Sequence, residues 1–466
     1  MTLIAILAYL ALQLGIGIWV SRRIRTEEDY LVAGRRLGYT LATFSIFATW
    51  FGAETIIGSG GRAWRDGFSL TSAEPFGYGL CLVLMGLVFA VPLWRRRLTT
   101  LADLFRQRFS PLTERCAAVI LIPSSVLWAA AQVRAFGSVL STGSTLQIET
   151  AIALAAGFTI LYTAFGGLLV DAITDVIQGA VLAVGLVVLL IGVVIHLGGP
   201  ADAAAAVALS REQLVVPPGD GSLLLAIEDW AIPVCGSVLA AELVGRVIAT
   251  RSPRIARRSA LGAAGLYLVL GTIPLLIGLV GSSIAPLADV AHAEQIVPAV
   301  AREVLPTLGY AIFAGALISA ILSTVDSTLL VAAGLLSHNL IIPLARVADE
   351  RRKLVIARAA VVIFGLLAYV LALHAQGVFA LVEQASAFGS AGALVTITFG
   401  LFTRTGGPRT AVATLVAGMA AYLGALVAGM PVPFLTSLGV ALATYGLGAA
   451  LEWVRVGREP AGEVTR

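Results

Sequence analysis

The stretch Trp50-Phe-Gly-Ala-Glu-Thr55, written WFGAET, is soon followed by Gly58-Ser-Gly-Gly61, and both lie in or beside an apolar segment at about residues 39–60. Glycine clusters loosen a helix, and an acidic side chain such as Glu54 is costly at membrane depth. Backbone groups freed inside a bilayer are tolerated only beside protein or a cavity. This pattern predicts a broken membrane helix next to a cavity, although glycines that serve only helix packing would look similar.

A second apolar segment, at about 222–248, has the same composition. It contains Cys235-Gly-Ser237 and then Ala241-Glu-Leu-Val-Gly245, so a glycine again stands near an acidic residue, Glu242. We predict a second broken helix here, with the same alternative of glycines used for packing.

The whole chain has the composition of a membrane protein. Of its 466 residues, 58% are hydrophobic and 12% are charged, whereas a soluble domain has roughly 25% charged residues. Thirteen apolar segments are long enough to span a bilayer or nearly so. They lie at about 2–20, 39–60, 76–94, 115–141, 150–166, 172–198, 222–248, 259–285, 307–340, 355–374, 378–402, 408–428 and 432–454.

The two interrupted segments are five spans apart, which indicates an internal repeat. Two units of five spans, at about 39–198 and 222–402, would each open with a broken helix, and the odd number inverts the second unit. The predicted fold is an all-α polytopic membrane protein of about 13 transmembrane helices, LeuT-like, with two inverted five-helix repeats. One transporter domain covers 1–466, with an extra helix at 2–20 and two C-terminal helices at about 408–454.

The basic residues predict the orientation. If the N-terminus is outside, all but five of the 31 lie in cytoplasmic segments, the exceptions being Arg62, Arg65, Arg134, Arg211 and Arg302. This asymmetry favours a multi-pass protein of the cell inner (plasma) membrane, with the N-terminus outside and the C-terminus in the cytoplasm. The net charge of +4 is explained by this bias, so nucleic-acid binding is not expected.

The stretch Ser319–Thr328, SAILSTVDST, places six polar side chains inside an apolar run. On a helix Ser319, Ser323 and Ser327 are spaced i, i+4, i+8, and Thr324 adjoins Ser323. Neutral hydroxyls, together with carbonyls released by a broken helix, are hard oxygen donors that suit an alkali cation. The alternative is that these hydroxyls bond to carbonyls of their own helix or join neighbouring helices.

Three stretches together resemble the sodium:solute symporter family, which includes sodium-coupled sugar, proline, pantothenate and choline transporters. They are Asp29–Arg35 (DYLVAGR) with Thr49–Thr55 (TWFGAET), Gly166–Gln178 (GGLLVDAITDVIQ), and Ser319–Asn339 with its SAILSTVDST start. The resemblance implies a sodium-coupled symporter of a small organic solute, working by alternating access, and not an enzyme. One chain suffices for transport, and the sequence leaves a higher oligomer open.

The resemblance also implies where sodium binds. Carried over to this chain, the first site uses the carbonyls of Ala48, Phe51 and Ala320 and the hydroxyls of Ser323 and Thr324. Asp175 matches the aspartate of a second ion site in some relatives. A further hydroxyl is expected in that second site at the position of Ala320, which puts a second sodium in doubt and leaves a proton as another role for Asp175.

The substrate is expected between the two broken helices. Side chains placed there by the resemblance are Glu54, Trp64, Phe76, Tyr78, Trp128, Arg134 and Glu242. Aromatic rings favour a quaternary ammonium, but Ala240 stands where a further aromatic is expected. Glu242 suits a cationic amine and Arg134 a carboxylate, unless Arg134 forms a structural ion pair. An amino-acid-like, carboxylate or amine solute is therefore favoured over a sugar.

Two further aspartates remain open from the sequence. Asp171 lies one turn before Asp175 and fits a charge at a helix N-terminus better than an ion relay; Asp326 either pairs with an arginine or approaches the ion. A proton-coupled symporter, with Asp175 or Glu54 carrying the proton, is the nearest alternative function. More distant ones are a transporter-like sensor and an intramembrane enzyme built on Asp171 and Asp175.

Overall fold

The computed structural model describes residues 2–68, 72–142, 146–214, 222–285, 290–375 and 377–456. Within these ranges the regular structure is helical and no strand occurs, which confirms the predicted all-α class. Arg458 and Arg466, which contribute to the predicted charge bias, lie outside the described residues, as do the side chains of Arg211 and Arg455.

The first half of the chain contains nine helices. Their bounds are α1 Thr2–Ser21, α2 Glu27–Val32, α3 Tyr39–Trp50, α4 Ser59–Asp66, α5 Phe76–Leu84, α6 Ala90–Arg95, α7 Ala102–Arg108, α8 Pro111–Thr142 and α9 Ile148–His196. Wider π-helical turns at Glu54–Gly58 and Met85–Phe89 precede α4 and α6, and a 3-10 turn at Ala33–Arg35 follows α2.

The second half continues in the same way. Its helices are α10 Pro200–Leu214, α11 Ser222–Ala231, α12 Ala241–Ile248, α13 Pro253–Ile284, α14 Ile296–Val304, α15 Thr307–Leu336, α16 Ile342–Ala345, α17 Glu350–His374, α18 Val378–Ala387, α19 Ser390–Phe402, α20 Pro408–Val427 and α21 Pro433–Val456. A 3-10 turn at Val290–Gln295 precedes α14, and π-helical turns at Ile232–Gly236 and Ser337–Ile341 follow α11 and α15.

Among the described residues, ten helical segments are long and apolar enough to cross a membrane, or eleven if the bent pair α3–α4 counts as one span. The predicted thirteen segments differ from this count in two places. The spans predicted at 150–166 and 172–198 form one helix of 49 residues, α9, which leaves helical geometry at Gly167 (φ 64°, ψ 173°). In α1, only the shorter stretch Ala8–Ser21 passes as an apolar helix.

The core lies where α3, α8, α9, α13 and α15 pack together. α15 packs against both α8 and α9, and α3 packs against α9 and α13. Peripheral helices α17, α20 and α21 expose apolar side chains, which suits contact with lipid. The end of α3, the middle of α9 and the middle of α15 are thereby brought together.

An isolated parallel bridge joins the chain just before α3 to the chain just after α12. The Leu37 N–H donates to the Ala249 carbonyl at 3.2 Å, and the Arg251 N–H donates to the Leu37 carbonyl at 3.1 Å. The start of α3 and the end of α12 are thus joined to each other through their backbones.

Candidate functional site

The first predicted break is present. α3 ends at Trp50, Phe51 leaves helical geometry (φ −94°, ψ 71°), and the axis turns by 54° before α4 continues. A Cβ at Gly52 would lie 2.3 Å from a carboxylate oxygen of Glu54, so a larger residue there would require the Glu54 side chain to move. The last carbonyls of α3 lack partners further along the helix and are available to other groups.

The second predicted break is also present. α11 passes into the π-helical turn at Ile232–Gly236, and α12 begins only at Ala241 after an extended Ala240 (φ −57°, ψ 137°). A Cβ at Gly236 would lie 2.5 Å from the carbonyl oxygen of Ser386, so this turn approaches the backbone of α18 closely. Each broken segment therefore carries a buried glutamate, Glu54 or Glu242.

The hydroxyl row of α15 faces the end of α3. The Thr324 hydroxyl lies 3.0 Å from the carbonyl oxygen of Thr49, and also 3.0 Å from that of Ala320. The Thr49 and Ser327 hydroxyls are 3.1 Å apart. Ala48, Phe51 and Ser323 are buried in the same region. The break and the hydroxyls are therefore neighbours, as the sequence indicated, although the individual ion ligands remain a prediction.

Asp175 lies on α9 at the same junction. Its carboxylate accepts a hydrogen bond from the Ser45 hydroxyl of α3 at 2.6 Å and another from the Ser323 hydroxyl of α15. Three helices thus contribute one carboxylate and two hydroxyls to a fully buried group. Ser45 was not predicted from the sequence. A serine within a run of apolar and hydroxyl residues carries no local signal, and only the packing of α3 on α9 shows its role.

Asp171 has a partner that the sequence did not indicate. It forms a buried ion pair with Arg246 of α12, and Ser327 of α15 joins the same cluster at 3.2 Å from its carboxylate. A charge that merely complements a helix N-terminus would not need this partner. Both aspartates of α9 contact α15, but Asp171 also contacts α12, whereas Asp175 also contacts α3 through Ser45.

Asp326 does not pair with an arginine in the described structure. The Thr163 hydroxyl donates to one of its carboxylate oxygens at 2.6 Å, and the other oxygen is buried without a hydrogen-bond partner there. Its position on α15 turns it toward the first half of α9 rather than toward the end of α3.

A cluster of aromatic rings adjoins the first break. The Trp50 ring lies 5.3 Å from the Trp128 ring and 6.3 Å from the Tyr78 ring, between centroids. The Tyr78 ring in turn lies 6.5 Å from that of Tyr267. Tyr78 and Trp128 were predicted pocket residues, whereas Trp50 was missed. A tryptophan in an apolar run indicates packing, so it is the contacts with Trp128 and Tyr78 that place Trp50 in this cluster.

The two buried glutamates have separate partners. Glu54 accepts a hydrogen bond from the Gln132 amide at 2.8 Å, and Gln132 in turn accepts from the Ala53 N–H at 3.1 Å. Glu242 accepts one from the Ser125 hydroxyl. Both partners lie on α8, so this helix connects the two breaks.

Three predicted pocket residues lie apart from this group. Trp64 packs beside Gly281 of α13, because α4 has turned away from the break. Phe76 stacks edge-on against Phe68, with centroids 6.2 Å apart. Arg134 donates to the Ala372 carbonyl at 3.0 Å and lines a separate cavity of about 390 Å³.

Comparison with known proteins agrees with this geometry. Residues 30–418 match the family model described as the sodium:solute symporter family. The human high affinity choline transporter 1 is 28% identical over 404 residues, covering 81% of this chain and 69% of that protein. The sodium/pantothenate symporter of Escherichia coli (strain K12) is 27% identical over 338 residues, covering 70% of each.

Two solved structures share the fold. A Na⁺-coupled sialic acid symporter in a substrate-bound outward-open state has a TM-score of 0.85 at 19% identity, with 97% of each chain covered. Mhp1, a nucleobase-cation-symport-1 family transporter, in a closed conformation with bromovinylhydantoin bound, has a TM-score of 0.58 at 16% identity, with 92% of this chain and 95% of that chain covered.

A helical membrane bundle with two broken helices, in a chain whose relatives include a choline transporter and a pantothenate symporter, defines a secondary transporter. The chain belongs to the sodium:solute symporter family. It is a multi-pass membrane protein that couples Na⁺ to the symport of a small organic solute, and it is a transporter rather than an enzyme.

Proposed function

We propose that one coupling Na⁺ binds between the end of α3 and α15. Its ligands are the carbonyls of Ala48, Phe51 and Ala320 and the hydroxyls of Ser323 and Thr324. The approach of the Thr324 hydroxyl to the Thr49 carbonyl carries this assignment, because it brings both kinds of donor to one place. Uncharged hard oxygens bind an alkali cation weakly enough to release it again.

A second cation, Na⁺ or a proton, binds at Asp175. The sequence left this site in doubt because Ala320 lacks a hydroxyl. The contact of Ser45 with Asp175 at 2.6 Å supports the site, since it supplies a hydroxyl from another helix. A buried carboxylate without a cationic partner favours binding a positive charge.

The architecture assigned to this function has thirteen crossings. α1 is the first, α9 crosses twice with its break at Gly167, and α3–α4 crosses once. At 1.5 Å per residue a helix of 49 residues is about 74 Å long, more than twice the roughly 30 Å hydrocarbon core. Two inverted repeats, at about 39–198 and 222–402, lie in the plasma membrane with the N-terminus outside and the C-terminus in the cytoplasm.

The transport cycle follows from these positions. Na⁺ binding from outside joins α3 to α15 and raises the affinity for solute, and by linkage the solute raises the affinity for Na⁺ equally. The outer side then closes, the inner side opens, and Na⁺ leaves. One charge moving through about 100 mV contributes ~2.3 kcal/mol, which supports roughly a fifty-fold solute gradient.

The solute binds between the two breaks, beside Trp50, Tyr78 and Trp128. Relatives named for choline and for pantothenate transport support a small organic molecule with an amine or a carboxylate over a sugar. One chain forms the complete transport unit, since both breaks and the hydroxyl row come from the same chain.

The first site is tested by the thermal stability of the purified full-length protein in sodium against potassium chloride at equal ionic strength. We expect a sodium-specific rise in the wild type, because a ligand that binds only the folded state stabilises it. Ser323→Ala/Thr324→Ala should lose this rise. Thr328→Ala is the matched control, since the Thr328 hydroxyl bonds only to carbonyls of α15 at 3.0 and 2.9 Å.

A rise that persists in the double variant would contradict the assigned site. If sodium has no effect on the wild type while a pH gradient drives uptake, the coupling ion is a proton, and Asp175→Asn and Glu54→Gln then identify its carrier.

A further inference from the structure

A small cavity lies beside the second break, between α8, α12 and the turn that joins α18 to α19. Its wall includes Ser125, Trp128, Ser237, Glu242 and Ser386. The Ser237 hydroxyl is buried without a hydrogen-bond partner in the described residues, and the buried Trp128 indole N–H points toward the Glu54 carboxylate. A buried polar group without a partner costs free energy, so a ligand that enters this cavity and hydrogen-bonds to such a group is stabilised there.

The ionisable side chain that lines this cavity is acidic. Glu242 is 2% exposed, and Ser125 is its hydrogen-bond donor, whereas a carboxylate offers about four acceptor positions. Arg246 lies one turn along α12, but Asp171 already compensates its charge. Glu54 adds a second carboxylate close to the Trp128 indole.

A second cavity, on the side predicted to face outward, is also lined by acidic side chains. Its lining includes one arginine, Arg62, and three acidic side chains, Glu74, Asp229 and Glu383. Both carboxylate oxygens of Glu74 are buried, and the described structure gives them no hydrogen-bond partner.

Tyr78 stands between the two cavities. It lines the outer one, and its hydroxyl lies 3.1 Å from that of Ser386, which lines the inner one. The two cavities thus lie along one acidic route that this contact divides, and Trp128, backed by Trp50, forms an aromatic wall of the inner one.

From this route we infer that the transported solute is an organic cation with N–H donors, such as a primary or secondary ammonium or a guanidinium. Glu242 accepts its hydrogen bonds, and Trp128 and Tyr78 pack against its apolar part. This inference rests on the proposed function and adds the substrate class to it.

The buried acceptors favour N–H donors over a quaternary ammonium. Aromatic faces attract both kinds of cation, but only an N–H group can donate to Glu242 and replace the water that the carboxylate loses on burial. Ala240 lines the same cavity without supplying a further aromatic wall, which weakens a cage built of rings alone.

The test measures thermal stability of the full-length protein at saturating sodium with four probes of similar size: propylammonium, tetramethylammonium, propionate and propanol. We expect propylammonium to stabilise the protein at the lowest concentration and tetramethylammonium only at a higher one. Propionate and propanol should have no effect, because they bring no positive charge to the carboxylates.

Single-residue variants then test whether Glu242 binds the ammonium group. Glu242→Gln should raise the apparent Kd for propylammonium by at least about ten-fold, since charge-paired hydrogen bonds are among the stronger ones, and should keep the sodium effect. Glu114→Gln is the control, because Glu114 is a buried glutamate of α8 held by the Asn339 amide at 2.8 Å, away from both cavities. If Glu242→Gln does not fold, Glu54→Gln replaces it, with at least a three-fold rise expected.

The outcomes separate the two proposals. Stabilisation by propionate or propanol, equal or better binding of tetramethylammonium, an unchanged Kd in the variant, or no response to any probe overturns the substrate class while the sodium effect stands. A missing sodium effect overturns the coupling proposal instead, and propylammonium binding in potassium would then still support the substrate class.

Discussion

Arg246 is among the largest side chains that the protein buries almost completely. Its guanidinium meets Asp171 of α9 and Ser327 of α15, so one cation links α12 to two helices of the surrounding framework. A buried ion pair is weak support for stability in itself, because desolvation offsets the attraction, but breaking one half is costly. Breaking this ion pair therefore tests how strongly α12 is held against α9 and α15.

Asp171→Asn leaves the Arg246 charge buried without its anion. We expect a loss of about 3–5 kcal/mol in the free energy of unfolding, measured by thermal or denaturant unfolding in detergent. Asp229→Asn is the comparison. The Arg62–Asp229 pair is 3.8 Å apart, with 28% and 22% of the two side chains exposed. This variant should lose under about 1 kcal/mol in the free energy of unfolding. Equal losses in the two variants would contradict the role given to Arg246.

Glu74 lies outside the membrane-spanning helices, in the segment that connects α4 to α5. Burial raises its pKa well above the ordinary 4.5, and the nearby Glu54 carboxylate raises that pKa further. Since folding raises this pKa, the stability contributed by the protonated carboxyl is complete below pH 4.5 and is lost as the pH rises through the folded-state value.

Glu74→Gln keeps this position neutral at every pH. We therefore expect the variant to melt above the wild type near neutral pH, with a difference that shrinks toward about pH 4.5. Melting curves of both proteins across this range provide the measurement. Parallel pH profiles would show that the Glu74 carboxylate is satisfied in the folded protein.

At the scale of elements, the two broken helices differ in what holds them open. At the first break the contact of the glycine is local, because the Glu54 carboxylate folds back on Gly52. At the second the contact is tertiary, since Gly236 lies against the backbone of α18. The shape of the second break thus depends on a helix that lies much further along the chain.

Gly236→Ala should push α18 away from the second break. The new Cβ would lie 2.5 Å from the Ser386 carbonyl, and overpacking of this kind costs about 1–3 kcal/mol. Gly265→Ala on α13 is the matched control, because no atom lies within 4 Å of its Cβ position. This variant should leave the free energy of unfolding unchanged or raise it by up to about 1 kcal/mol. Melting temperatures of both variants provide the comparison, and equal values would contradict this account.

The sequence predicted these elements well because their signals are local. Glycine clusters beside Glu54 and Glu242 indicated both breaks, and the spacing of Ser319, Ser323 and Ser327 indicated one polar face. Trp50 was missed for the opposite reason. A tryptophan in an apolar run indicates packing, and only its contacts with Trp128 and Tyr78 show that it closes a wall.

At the scale of the whole molecule, the interactions that sequence reasoning missed join distant parts of the chain. Asp171 and Arg246 are 75 residues apart, and Ser45 and Asp175 are 130 apart. Nothing local marks such partners, because they are selected by which helix faces pack together. Such long-range partners therefore required the packing, while the ion and substrate regions themselves stay predictions.

The backbone bridge at Leu37 and Thr250 joins the start of α3 to the end of α12 through amide groups rather than side chains. No substitution that keeps the local chain path removes those hydrogen bonds, apart from one that introduces proline. α3 and α12 are therefore mechanically coupled at these ends. We expect a displacement of either helix to carry the other with it unless the bridge breaks.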